Sequence, residues 1–82
     1  MQFTVHAASS GKRVRVQDRI GGTEAYNDFL APDATAPVQV ASNDGQTGDV
    51  DISAQMRADA PWVVLEQDYP VKAGDVYDVG DV

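Results

Sequence analysis

The chain has 82 residues, no cysteine and a net charge of -7, from thirteen acidic against six basic side chains. That length allows one small domain near the lower limit for a self-sufficient core, and the lack of cysteine removes disulfides, thiolate nucleophiles and thiolate zinc sites. The acidic balance disfavours nucleic acid and anionic membranes as partners, and no apolar run approaches the roughly 20 residues of a membrane-spanning helix.

Met1-Gln2-Phe3-Thr4-Val5-His6 has neither a basic start nor an apolar stretch, so a secretory signal is not expected and a soluble protein is. Phe3, Val5 and Ala7 alternate with Gln2, Thr4 and His6. After Ser9-Ser10-Gly11-Lys12 the alternation resumes with Val14 and Val16 between Arg13, Arg15 and Gln17. A period of two on both sides of a turn-rich tetrad predicts a β-hairpin with Arg13 and Arg15 on its solvent face.

Gly21-Gly22 breaks the pattern, and Thr23 is placed to cap one helical turn in which Tyr26, Phe29 and Leu30 fall three or four residues apart. Residues 31–37 hold Pro32 and Pro37 among small neighbours, which predicts a surface loop. Val38 and Val40, then Asn43-Asp44-Gly45, then Val50 and Ile52 predict a second hairpin about a turn that favours positive φ. The apolar run from Trp62 to Leu65 reads as a strand buried on both faces, with Trp62 in the core; the alternative is that Trp62, Tyr26, Tyr69 and Tyr77 line a carbohydrate or peptide site. Lys72-Ala73-Gly74-Asp75 is a turn composition, and Val76, Tyr77 and Val79 suggest a last strand. About six short strands in a single domain of residues 1–82 indicate an all-β fold, a small antiparallel sandwich or barrel.

No residue set points to catalysis. His6, the single histidine, falls on the polar side of its strand, and no serine sits in a nucleophile elbow. With thirteen carboxylates, acidic pairs arise from composition alone, and so short a chain hardly encloses a glycosidase cleft. Walker, dinucleotide-binding and His-Glu-x-x-His motifs are absent. The one oxygen-rich loop is residues 43–51, in which Asp44, Asp49 and Asp51 are the candidate ligands for Ca2+. Its spacing leaves Ala54 where an EF-hand carries its bidentate glutamate, so a hydrophilic hairpin turn is the plainer reading and no cofactor is expected.

Charge is unevenly spread. Residues 1–20 set Lys12, Arg13, Arg15 and Arg19 against Asp18, whereas the rest sets Arg57 and Lys72 against twelve carboxylates. Asp75, Asp78 and Asp81 recur beside Val76, Val79 and Val82 in an acidic arm. An arm of this kind complements the Arg13, Arg15 and Arg19 segment of a neighbouring copy and favours head-to-tail contact.

Val71-Lys72-Ala73-Gly74-Asp75-Val76 resembles a hairpin phrase of many small β-barrels, among them some tailed-phage capsid decoration proteins. The resemblance covers six of the 82 residues and implies a β-rich accessory protein that reinforces a virion lattice. The expectation is therefore a non-catalytic structural module built by self-association or into a larger protein lattice, concretely a virion accessory protein (capsid decoration, cement or tail component). The alternatives are a free-standing acidic binding module or inhibitor that docks on a basic surface and, behind it, a small hydrolase built on His6 or a carboxylate.

Overall fold

The computed structural model describes residues 1–80; Asp81 of the acidic arm lies outside the described residues. The strands are β1 (Gln2–His6), β2 (Lys12–Asp18), β3 (Thr23–Leu30), β4 (Thr35–Gln39), β5 (Thr47–Gln55), β6 (Val63–Lys72) and β7 (Val76–Asp78). They form a three-stranded sheet, β4-β1-β7, and a four-stranded sheet, β3-β2-β5-β6. Neighbours are antiparallel except β1 and β7. The fold is all-β and sandwich-like, with no helix among the described residues and hence none long and apolar enough to cross a membrane.

Alternation decides which side chains meet. Phe3, Val5 and Ala7 of the β1 segment are fully buried and face the inward residues Val14 and Val16 of β2 and Val50, Ile52 and Ala54 of β5. Burying a side chain such as Phe3 or Ile52 stabilises the fold by about 1.5–3 kcal/mol, which makes this stripe the main source of cohesion. The two alternating segments are nevertheless not a hairpin. β1 pairs with β4 and β7, and β2 pairs with β3 and β5, so residues 7–11 carry the chain from one sheet to the other.

The expected helical turn at residues 23–30 is strand β3. Tyr26 and Leu30 are four apart, a spacing common to a helix and to one face of a strand, and a bulge opposite Val16/Gln17 disturbs the alternation that would have marked it. The expected loop at 31–37 is a turn followed by β4 from Thr35. Pro37 is accommodated because β4 is a sheet edge. The second expected hairpin is also a crossing between sheets, since β4 pairs with β1 and β5 with β2 and β6.

The largest correction concerns Trp62 to Leu65. Val63 and Val64 open the edge strand β6, and Trp62, Val63 and Val64 are all exposed. β5 and β6 meet through register shifts between Val50 and Ser53 that break the alternation. From the short β7, Tyr77 reaches β6, where its ring packs edge-on against Tyr69 with centroids 5.3 Å apart and its hydroxyl donates to Glu66 at 3.3 Å.

Asp18 locks the loops at one end of the sandwich. Buried at the end of β2, its carboxylate accepts the N–H groups of Ile20 (3.1 Å) and Gly21 (2.9 Å) in the β2–β3 turn and of Ala41 (2.7 Å) in the β4–β5 connection. At the opposite end the buried Lys12 donates to the Gly80 carbonyl, holding the chain beyond β7 against β2.

Candidate functional site

The outer face of the four-stranded sheet is built on β2. With Val14 and Val16 inward, Arg13 and Arg15 project outward, as their alternation predicts. Arg13 stands between Phe29 of β3 and Gln55 of β5, and Arg15 between Asn27 and Ser53, with Val64 of β6 beyond Ser53. Phe29, Val64 and Met56 are each more than half exposed. The Trp62 ring lies 5.9 Å from Arg15 Cζ, a cation–π distance. Arg13 Nε donates to Asn27 Oδ1 at 2.7 Å. Arg15 Nε is 3.1 Å from Glu24 Oε2, close enough for an ion pair though not aligned as a hydrogen bond.

At one corner the face dips into a groove of about 520 Å³ lined by Gly11, Arg13, Phe29, Met56, Arg57 and Ala58. Gly11 makes room for it: a Cβ there would stand 2.6 Å from Phe29 Cζ and 2.9 Å from the Leu30 carbonyl oxygen, and although the ring could turn away the backbone oxygen cannot. The groove has an apolar floor between two guanidiniums. Such a floor suits an apolar side chain flanked by carboxylates.

Arg19, grouped with Arg13 and Arg15 by sequence, is engaged elsewhere. It bonds Asp51 Oδ2 at 2.9 Å and pairs with Asp68. Asp51 Oδ1 also accepts the Asp68 N–H at 2.9 Å where Asp68 takes a positive φ of 52°. That backbone hydrogen bond, reinforced by Arg19, holds the Asp51 carboxyl below its ordinary range. The polar hollow of Arg19, Glu24 and Asp51 is thus largely a set of charges answered within the chain.

The oxygen-rich loop is organised by Asp44 itself. Its carboxylate accepts the N–H groups of Gln46 (2.9 Å) and Thr47 (2.8 Å) and the hydroxyls of Ser42 and Thr47. These donors hold the acid well below the ordinary carboxylate range. Asp49 and Asp51 lie on β5 instead, and no group of three or more metal-ligating side chains comes together among the described residues.

No protein-family model, curated protein or solved structure matches this chain. The site therefore rests on the chain's own geometry. Asp75 precedes β7 and Asp78 ends it, on the other sheet from Arg13 and Arg15. Asp75 Oδ2 accepts the Lys72 N–H at 2.9 Å across a turn in which Gly74 takes a φ of 86°. Asp78 Oδ1 accepts the Gly80 N–H and lies 3.6 Å from His6 Nδ1, while His6 Nε2 is 3.0 Å from Asp33. Both ring nitrogens of His6 thus face carboxylates, an arrangement that leaves neither beside a nucleophile.

Phe29, Met56, Arg57, Trp62 and Val64 are surface residues that the sequence hides, because Phe29 fits a helical stripe and Trp62-Val63-Val64 fits a buried strand. The available signal was the odd position of Phe29 beside Leu30: on a strand, neighbours face opposite ways.

Proposed function

We propose that this protein is a non-catalytic structural module that enters a larger assembly through the outer face of its four-stranded sheet. One observation carries the reading. On a chain of net charge -7, that face gathers Arg13, Arg15 and Arg57 around exposed Phe29, Met56, Trp62 and Val64. Exposed aromatic and apolar side chains interleaved with arginine have the composition of interface centres, and nothing in the described chain covers them. The assembly we favour is a protein lattice, with a virion accessory role supported by the small size, the lack of cysteine and the Val71–Val76 phrase. The free acidic binding module or inhibitor draws less support, because the exposed face that gathers aromatic and apolar side chains is lined by arginines and not by carboxylates.

The test is the osmotic second virial coefficient from static light scattering at moderate salt, for the parent chain and for Met56→Ser/Val64→Ser. The pair alters no charge. The parent should be measurably more self-attractive than the variant; equal coefficients would remove the face from the assembly mechanism.

A further inference from the structure

The second sheet carries a feature that complements the groove. β7 is an edge strand in parallel register with β1, pairing Thr4 with Val76, Val5 with Tyr77 and His6 with Asp78. Val5 is buried and Tyr77 packs against the core, so Val76 and Asp78 point to the outside of the three-stranded sheet. Val76 is 65% exposed, the most exposed large apolar side chain among the described residues, and it stands between Asp75 and Asp78. The chain thus presents an apolar side chain with Asp78 on the same face of the sandwich and Asp75 in the preceding turn, carboxylates that also accept the Gly80 and Lys72 N–H groups. On the other face lies an apolar groove flanked by guanidiniums.

We propose that copies of this chain associate head to tail, the β7 edge of one copy seating Val76 on Phe29 and Met56 of the next while its carboxylates meet Arg13 and Arg57. The inference rests on the assembly reading above and names the partner as a second copy. Charge complementarity selects this occupant, since an acidic edge meets Arg13, whose partner Asn27 is neutral, and Arg57, whose 3.6 Å contact with Asp59 is fully at the surface and easily exchanged. Because the two surfaces belong to opposite sheets, each copy can engage two neighbours at once, and the contact is heterologous: it builds a ring if its rotation closes and an open row if it does not. β7 and the groove lie at sheet edges, where unpaired or exposed structure invites a neighbour.

A heterologous contact has a specific signature in complementation. Phe29→Ser/Met56→Ser removes the groove floor and leaves β7 intact; Val76→Ser/Asp78→Asn removes the edge and leaves the groove intact. Neither adds negative charge, so weaker association in either cannot come from added repulsion. Sedimentation velocity of the full chain should show each variant associating at least about tenfold more weakly than the parent, and a mixture of the two forming one-to-one dimers that grow no further. Thermal melts establish that each variant folds, and Met56→Ser alone replaces the first if Phe29→Ser does not. Two outcomes overturn the proposal. If the groove variant loses association while the edge variant keeps it, the face assembles by another geometry and the broader reading survives. If the parent itself stays monomeric and both variants match it, the proposal and the assembly reading fall together.

Discussion

Asp44 is an exposed carboxylate surrounded by the donors of its own loop, and its chemistry is that of a turn lock. Two backbone N–H groups and two hydroxyls satisfy oxygens that a calcium ion would otherwise need, and competing for them would cost the loop its conformation. The consequence is a pH dependence of definite sign. The folded-state acid is shifted down from an unfolded value of about 3.9. Its contribution is therefore present above that value and is lost as pH falls through the lower, folded one. Carbon-detected NMR titration of Asp44 should find its midpoint clearly below the ordinary aspartate range. A midpoint near about 3.9 would mean that the donors are not engaged in solution. At this scale the sequence was informative about residue type and silent about partners: Asn43-Asp44-Gly45 announced a turn, but which donors close on Asp44 depends on the path of Ser42 and Thr47.

Elements in this fold are short and are held together by what joins them. Asp18 links the β2–β3 turn to the β4–β5 connection, across the two sheets, by three backbone hydrogen bonds to a buried carboxylate. Asp18→Ala leaves those N–H groups unanswered and should destabilise the chain by about 2–4 kcal/mol in denaturant unfolding; a loss under about 1 kcal/mol would show that the loops do not need the link. Strand existence was largely legible, because period two at Phe3-Val5-Ala7, Val14-Val16 and Val50-Ile52 put the right side chains inside. Strand pairing was not. Nothing local distinguishes a hairpin from a crossing between sheets, and both connections judged to be hairpins carry the chain from one sheet to the other. β3 and β6, which carry bulges against their neighbours, depart most from their local pattern, which is that of a helical turn and of a buried strand, and the first residues of β4 depart from that of a loop. The first two departures conceal part of the candidate site, Phe29 in one case and Trp62 and Val64 in the other.

For the whole molecule, the sandwich has two unlike outer surfaces: one arginine-rich and apolar, one polar with the Asp75–Val76–Asp78 edge. The uneven charge along the chain foreshadowed this separation. Folding narrows its basic side to β2, by engaging Arg19 with Asp51 and Asp68 and by burying Lys12. What remains outward on the four-stranded sheet is Arg13, with Arg15 beside Glu24 and Arg57 beside Asp59, among aromatic and aliphatic neighbours. Such a surface works by contact, and the chain's long-range repulsion at net charge -7 limits that contact to partners that fit it locally. The most direct measurement is acrylamide quenching of Trp62, the single tryptophan and a member of this face, followed from dilute to concentrated protein at constant salt. If the face is the assembly surface, quenching falls and emission shifts to shorter wavelength as concentration rises; if both stay unchanged across that range, Trp62 remains in water and the face is not where this protein assembles.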